Sequence, residues 1–238
     1  MNVKYSLLVA VLFVGCVSPG ALPSFFTPCS SSDPKLDQCI EKVIASGGPQ
    51  FAEGIPALGI APLDPMRLGR VEVDNPALKL TFTDTVVTGL KEFRLNSYKM
   101  SPAKDKATVD FTANVTLKAH YDIDGRVLIL PIRGSGPAKI RITNLNIVIK
   151  YDFDTRDGHW VVTGYKDTYK MDRAQFKFSN LFGGNKQLAA TTNRFTNENW
   201  EIIMQEIAPP AINSIIKSCV GVVNQFFSGV PAADLLHP

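Results

Sequence analysis

Apolar and polar residues alternate along the middle of the chain, from about Val71 to Leu181. The alternation is clearest at Val109, Phe111, Ala113, Val115, Leu117, Ala119 and Tyr121. A period of two places successive side chains on opposite faces of a strand, so one face is buried and the other meets water. The pattern predicts an antiparallel sheet with Asn114 and Thr116 on its wet face.

Two Asp-Gly pairs, Asp124-Gly125 and Asp157-Gly158, fit tight hairpin turns between long strands. Between them the apolar residues change parity, with Ile140 and Ile142 on one face and Leu145, Ile147, Ile149, Tyr151 and Phe153 on the other. A change of parity without a turn requires a bulge, which we place near Asn144. Because bulges bend sheets, we expect a strongly curved sheet. A flat sheet with a packed helix is the alternative.

The apolar period is helical near the start of the chain. Asp33-Pro34 predicts an N-cap followed by proline in the first turn. The apolar stripe that follows comprises Leu36, Cys39, Ile40, Val43 and Ile44. We expect this helix to stop at Ser46-Gly47-Gly48-Pro49. The next segment, Gly54 to Met66, is rich in proline and glycine and is predicted to lie extended against the body.

The period becomes helical again after Gly183-Gly184. A long apolar stripe follows, made of Trp200, Ile203, Ile207, Ala211, Ile215, Cys219, Val222, Val223 and Phe226. Pro209-Pro210 interrupts it, and proline inside a helix removes a backbone donor. The stripe nevertheless keeps its register, which predicts one long kinked helix or two nearly collinear ones.

The first twenty residues have the pattern of a secretory signal peptide. Lys4 precedes an apolar run, Tyr5 to Val17, and Ser18-Pro19-Gly20 supplies small residues for cleavage. The alternative is a membrane anchor, which needs roughly 18 or more apolar residues. No linker divides the remainder, so we expect one domain over residues 21–238. We expect it to be soluble, without stable membrane insertion, because no later segment is long and apolar enough to span.

The charge distribution and the cysteines limit which partners and cross-links are expected. The formal net charge is +3, and cations and anions are interleaved without a basic stripe, which argues against nucleic acid. Cys16 leaves with the signal. In a secreted chain Cys29 and Cys39 are predicted to pair, with a contribution of about 2–3 kcal/mol. Cys219 is either a buried free thiol or paired with another chain. No ligand set for a metal is present.

No catalytic set is evident, and we expect neither enzymatic activity nor a cofactor. The chain has three histidines, His120, His159 and His237. Gly134-Ser135-Gly136 lacks the spacing of a nucleophile elbow and is interpreted as a tight bend. A triad assembled in space is the alternative.

Two further motifs lie in the predicted sheet. Asp152, Asp154 and Asp157 precede Gly158 with the wrong spacing for a calcium loop, so an acidic hairpin end is predicted. Asn114-Val115-Thr116 is an N-glycosylation sequon on the wet face.

Five blocks stand in order along most of the chain: the Cys29/Cys39 pair, Gly54 to Pro65 (GIPALGIAPLDP), Tyr121 to Gly136 (YDIDGRVLILPIRGSG), Asn180 to Leu188 (NLFGGNKQL) and Asn197-Glu198-Asn199-Trp200. Together these blocks resemble the insect Takeout and juvenile hormone-binding protein family. The resemblance implies an α+β fold in which a highly curved antiparallel sheet wraps a long C-terminal helix, as in tubular lipid-binding proteins. The chain is more similar to Takeout than to the haemolymph hormone carriers, whose second disulfide it lacks.

The resemblance also implies a function. It indicates a secreted, monomeric carrier in haemolymph or another extracellular fluid, with a tunnel for a juvenile hormone-like isoprenoid, a fatty acid or a related lipid. Hormonal, feeding, circadian or chemosensory physiology is the implied setting. The expected tunnel residues are Phe82, Phe111, Val115, Leu117, Ile142, Ile147, Ile149, Phe176, Phe178, Trp200, Ile203, Ile207 and Ile215. The alternatives are an extracellular protein-interaction module with a solid core, and a secreted esterase.

Overall fold

A computed structural model describes residues 22–238; the predicted signal peptide and Cys16 lie outside them. The strands are β1 (Cys29–Ser30), β2 (Met66–Asp74), β3 (Leu78–Thr88), β4 (Arg94–Ser101), β5 (Lys106–Val127), β6 (Leu130–Arg156), β7 (His159–Lys170), β8 (Arg173–Phe178) and β9 (Leu236–His237). The helices are α1 (Leu36–Ala52), α2 (Lys186–Glu198), α3 (Trp200–Gly229) and α4 (Ala232–Leu235). Short 3-10 turns occupy Pro56–Leu58, Pro102–Lys104 and Phe182–Gly184.

Two very long strands form the spine of the sheet. β5 and β6 have 22 and 27 residues and pair with each other along their whole length. At one end β3 pairs with β5, β2 with β3, and β8 with β6. At the other end β4 pairs with β5, and β7 with β6. All these pairs are antiparallel, which confirms the prediction drawn from the alternation.

The predicted bulge lies where the two ends of the sheet meet. Ala113 pairs with Leu145 but Val115 pairs with Ile142, so β6 carries one extra residue there. Asn144 adopts a φ of 49°, and its backbone N–H donates to Asn114 Oδ1 at 2.8 Å. Register shifts also interrupt four other strand pairings. These irregularities give the sheet its strong curvature.

The long C-terminal helix crosses the concave face of this sheet. α3 is continuous over 30 residues and passes through Pro209 and Pro210, which confirms one long helix rather than two. Neither proline has an N–H, so the carbonyls of Gln205 and Glu206 lack the usual helical donor. The stripe residues Ile203, Ile207 and Ile215 are buried against the sheet.

Helix side chains take the place of strand partners at the edges of the sheet. On α2, Asn197 accepts from Phe176 N (2.8 Å) and donates to Phe176 O (2.9 Å). One turn earlier, Asn193 does the same to Phe178, at 2.9 Å in both directions. On α3, Asn224 bonds both backbone groups of Val162 in β7. These amides satisfy edge groups that would otherwise be free to pair with another chain.

One of the two predicted hairpin turns is wrong. Asp157-Gly158 does connect β6 to β7, but Asp124-Gly125 lies inside β5, and the chain turns at Leu128 and Ile129. Gly125 is needed for close packing, since a Cβ there would stand 2.3 Å from the carbonyl oxygen of Ala77. The glycine at this position therefore indicates a close approach of two backbone segments rather than a turn.

The bounds predicted for the first helix were also wrong. α1 begins at Leu36, while Asp33 accepts through Oδ1 from Lys35 N (2.8 Å) in the turn before it. The helix continues through the predicted stop to Ala52. Its two glycines face aromatic rings, and a Cβ on Gly48 would lie 2.4 Å from the Phe93 ring. The close packing of this face of α1 against aromatic rings therefore outweighs the low helix propensity of the glycines and Pro49.

The segment from Gly54 to Met66 lies against the body as predicted, although it is not wholly extended. It contains the 3-10 turn at Pro56–Leu58. Asp64 anchors it, because its Oδ2 accepts from the backbone N–H groups of Gly89 (2.9 Å) and Lys91 (2.8 Å).

Candidate ligand cavity

An apolar cavity of about 340 Å³ lies beneath α1, between the C-terminal part of α3 and the sheet. The residues that line it are apolar or aromatic, apart from a few hydroxyl, indole and thiol groups, and none is charged. They are Phe25, Phe26, Cys29, Ile40, Val43, Ile44, Gly47, Gly48, Phe51, Ala52, Leu63, Leu90, Phe93, Tyr98, Met100, Val109, Phe111, Ile147, Ile149, Tyr151, Trp160, Val162, Ile215, Ile216, Cys219, Val220, Val223, Phe226, Phe227, Leu235 and Leu236.

The cavity divides the molecule into two halves. The cavity half comprises α1, β4, residues 106–113 of β5, residues 145–156 of β6, β7 and residues 211–229 of α3. The packed half comprises β2, β3, residues 115–127 of β5, residues 130–142 of β6, β8 and residues 200–208 of α3. The bulge at Asn144 and the Pro209-Pro210 pair stand at the border between them.

Aromatic side chains form much of the cavity wall. Phe226 of α3 meets Phe51 of α1 edge-to-face, with ring centroids 5.4 Å apart. Trp160 of β7 meets Phe227 in the same way at 5.5 Å. Such pairs are favourable beyond the area they bury, so they hold the wall together even where it faces empty space.

Two tyrosines supply the hydroxyl groups of the cavity lining. The hydroxyls of Tyr98 on β4 and Tyr151 on β6 lie 2.9 Å apart and hydrogen-bond to each other. Burial raises the pKa of both, and that of Tyr98 well above its ordinary value. Both phenols are therefore neutral at physiological pH. Since one hydroxyl donates to the other, a single O–H remains to bind an acceptor on a ligand.

Cys219 contributes a thiol to the same wall. It is half-buried and forms no disulfide among residues 22–238, and burial raises the pKa of its thiol to about 12. The thiol is therefore protonated near neutral pH and acts as a small apolar group, in agreement with the first of the two interpretations of this residue.

α1 covers the cavity and is held at several points. Asp37 accepts through Oδ1 from Met100 N and Glu41 accepts through Oε1 from Tyr98 N, both at 2.9 Å. These carboxylates, one turn apart, satisfy the free N–H groups of edge strand β4. The predicted Cys29–Cys39 disulfide is present and ties α1 to β1, which pairs in parallel with β9.

Four of the thirteen predicted tunnel residues line the cavity: Phe111, Ile147, Ile149 and Ile215. The structure places the other nine in the packed half, away from it. Phe82, Val115, Leu117, Ile142, Phe176, Phe178, Ile203 and Ile207 are buried core residues there. Trp200 is partly buried, with the Arg173 guanidinium 5.8 Å from its ring centroid. The alternation identified inward-facing residues correctly, but the first half of α3 fills the space between them.

Sequence reasoning missed the side of the cavity formed by the N-terminal region. Phe25, Phe26 and Phe51 of this region line the cavity, as does Phe93 just before β4, and none was predicted to do so. A signal for α1 existed, because Ile40, Val43 and Ile44 were recognised as its apolar face. The pattern of one helix does not reveal which surface it covers.

The other residues considered for catalysis lie on the surface of the protein. His120 Nε2 lies 3.1 Å from Ser135 Oγ on the exposed face of the sheet. Gly134-Ser135-Gly136 is not a bend but part of β6, where a Cβ on Gly136 would lie 2.8 Å from Ser179 O. The glycines permit the segment after β8 to pack closely.

The acidic residues near the β6–β7 turn form local ion pairs. Asp152 pairs with Lys106, and Asp154 pairs with Arg156. Within residues 22–238 no group of three or more potential metal ligands occurs, and no helix is long and apolar enough to cross a membrane.

A curved antiparallel sheet wrapped around a long helix, with an apolar chamber at one end, places the molecule in the tubular lipid-binding class. Residues 7–237 match the family model for haemolymph juvenile hormone binding protein (JHBP), and the chain belongs to this family. The members of this family are binding proteins rather than enzymes.

Individual relatives agree with this assignment. The chain is 26% identical over 248 residues to the circadian clock-controlled protein daywake of Drosophila yakuba, covering 94% of both chains. It is 21% identical over 123 residues to a putative beta-carotene-binding protein of Schistocerca gregaria, covering 50% of this chain and 49% of that protein. The crystal structure of Takeout 1 from Epiphyas postvittana superposes with a TM-score of 0.82 at 29% identity, covering 89% of this chain and 99% of that chain.

Proposed function

We propose that the protein is a secreted carrier that holds one elongated hydrophobic molecule in the cavity and performs no chemistry on it. The observation that carries the proposal is the cavity itself, about 340 Å³ in volume and without a charged side chain in its lining. Each 100 Å² of apolar ligand surface moved there from water gains roughly 2.5 kcal/mol. Loss of ligand freedom offsets part of this gain.

The lining also favours a ligand class. Among residues 22–238 no cation lines the cavity, so a carboxylate bound there would be buried without a partner, which is costly. A neutral oxygen at one end of the ligand could instead accept a hydrogen bond from the free O–H of the Tyr98–Tyr151 pair. Among the expected ligands this favours juvenile hormone-like esters and other neutral isoprenoids or lipids over ionised fatty acids.

Other features support an extracellular setting. Residues 1–20 have the sequence pattern expected of a secretory signal, and the Cys29–Cys39 disulfide suits an oxidising compartment. Asn114 of the sequon is exposed, and we expect it to carry a glycan. We further propose that the carrier is monomeric and serves hormonal, feeding, circadian or chemosensory physiology; the relative named as clock-controlled supports the circadian setting.

Native mass spectrometry of the protein purified from its own secretion tests the proposal. We expect one co-purified small molecule per chain, released on denaturation. The delipidated protein should then bind a juvenile hormone ester or a neutral isoprenoid at micromolar concentration in a fluorescence displacement titration. Absence of both results would favour the protein-interaction alternative, and recovery of a hydrolysed ester would favour the esterase.

A further inference from the structure

Four cationic side chains lie together on the outer face of the sheet, which α3 does not cover. Lys118 of β5 pairs directly with Lys139 of β6, and Lys139 pairs directly with Lys177 of β8. Neighbouring strands are about 4.8 Å apart, so the three lysines form a row roughly 10 Å wide. Arg141 stands two residues along β6 on the same face, and we call the four together the basic patch.

The basic patch is electrostatically unfavourable in the isolated protein. Like charges directly opposite each other on adjacent strands destabilise a sheet. The pKa of Lys139 is lowered, first by Arg141, then by burial, and then by Lys118 and Lys177. Within residues 22–238, none of the four cations belongs to an ion pair. An external surface of negative charge would therefore relieve their repulsion.

The composition of the basic patch indicates what kind of surface fits it. The centres of protein–protein interfaces are enriched in aromatic residues and depleted in lysine. Three of the four cations here are lysines, and the large exposed apolar residues of the described chain (Ile129, Tyr165, Leu188 and Ile202) all lie elsewhere. A lysine ammonium is a compact, hydrated point charge that suits phosphate groups exposed to water. These features favour a layer of phospholipid headgroups over a folded acidic protein.

We propose that the basic patch docks the protein on anionic membrane surfaces. The proposal rests on the proposed carrier function, because a cargo that avoids water must be taken up from a membrane or delivered to one. The contact is peripheral. It uses the convex face of the sheet, while α1 and the cavity lie on the concave side. Docking through this face therefore leaves α1, the helix that covers the cavity, free of the membrane.

Vesicle flotation of the full mature protein tests the docking surface. Vesicles of phosphatidylcholine alone are compared with vesicles that also contain phosphatidylserine, at low and at physiological salt. We expect binding to the anionic vesicles only, weakened by salt. The variant Lys118→Gln/Lys139→Gln/Lys177→Gln should lower the partition coefficient roughly 100-fold, at about fivefold for each cation near an anionic surface.

A matched control removes the same charge elsewhere. Lys35→Gln/Lys104→Gln/Lys217→Gln alters three exposed lysines on other elements and should keep binding within about threefold of wild type. Equal losses in the two variants, or no binding of wild type to anionic vesicles, would overturn the proposal. Retention by immobilised polyglutamate but not by vesicles would assign the patch to an acidic protein and overturn it too.

Ligand titration without vesicles separates this proposal from the carrier function. Both lysine variants should bind the displacement probe as wild type does, because none of the altered residues lines the cavity. If wild type floats with anionic vesicles but binds no hydrophobic probe, the carrier function fails and the docking surface stands. If it binds the probe but never floats, the reverse holds.

Discussion

The packed half and the cavity half are built on the same two strands, yet only one of them is filled. In the packed half α3 contributes Ile203, Met204, Ile207 and Ala208, all buried among large residues of β2, β3 and β8. In the cavity half Cys219, Val220 and Val223 of the same helix remain partly exposed to an interior space, and α1 closes that space from the other side.

The difference lies in what the helix meets and not in the strands. Apolar and polar residues alternate along β5 in both halves, so an inward-facing position does not by itself indicate a ligand contact. A cavity arises where an additional layer, α1, stands over the sheet and the C-terminal part of α3 does not fill the space between them. Substitutions placed in pairs, one in each half, test this account.

The largest contrast should come from buried charge. Leu117→Asp places a carboxylate in the packed half, where Leu117 is 6% exposed, and should cost several kcal/mol and abolish cooperative thermal unfolding. Val220→Asp faces the cavity, which has room for water, and should fold with a modestly lowered Tm while losing ligand binding. Thermal melts by circular dichroism check both. Unfolding of both variants would mean that the two halves are equally intolerant.

Enlarging a side chain should separate stability from binding. Val87→Phe overfills the packed half, where Val87 has no exposed surface, and should destabilise by about 1–3 kcal/mol. Val220→Phe occupies cavity space instead, so we expect a nearly unchanged melt and a ligand affinity at least tenfold weaker. Urea unfolding and displacement titration measure the two effects. Unaltered affinity in Val220→Phe would place the ligand elsewhere.

Removal of both cavity hydroxyls should have a smaller effect. Either tyrosine alone would keep one free O–H, so the test is Tyr98→Phe/Tyr151→Phe, which should weaken binding of an oxygen-bearing isoprenoid by about 0.5–1.5 kcal/mol and leave a pure hydrocarbon ligand unaffected. The control lies in the packed half, where the Tyr121 hydroxyl donates to Ser179 O at 2.7 Å. Tyr121→Phe should therefore lower stability without altering affinity. An equal loss for both ligands in Tyr98→Phe/Tyr151→Phe would contradict the anchoring role.

The smallest expected effect concerns alkaline stability. Burial raises the pKa of Cys219 from 9.0 to about 12 in the folded protein, so the unfolded chain releases this proton first. Stability from this group is complete below pH 9 and is lost as pH rises towards 12. Because the residue is only half-buried, we expect the free energy of unfolding to fall by about 1 kcal/mol at pH 10.5. Cys219→Val should reduce the Tm difference between pH 8 and pH 10.5, and an unchanged difference would contradict the assignment.

The sequence predicted the secondary-structure elements better than it predicted which elements pack against each other. The sheet, the bulge at Asn144, the continuous stripe through Pro209-Pro210 and the Cys29–Cys39 pair follow from local patterns and are present. The α1 stop and the Asp124-Gly125 turn failed because glycine serves both as a breaker and as a site of close packing. The cavity could not be located, since its wall joins residues 25–26 to strands and a helix far along the chain.

The double proline in α3 has a mechanical consequence. With two successive backbone hydrogen bonds missing at Gln205 and Glu206, the helix is least stiff at the border between the filled and the hollow parts of the molecule. The sheet has its own point of weakness at the same level, the extra residue in β6 beside Asn114. We therefore expect the molecule to bend most readily at this level, so that one end widens around a cargo while the other keeps its shape.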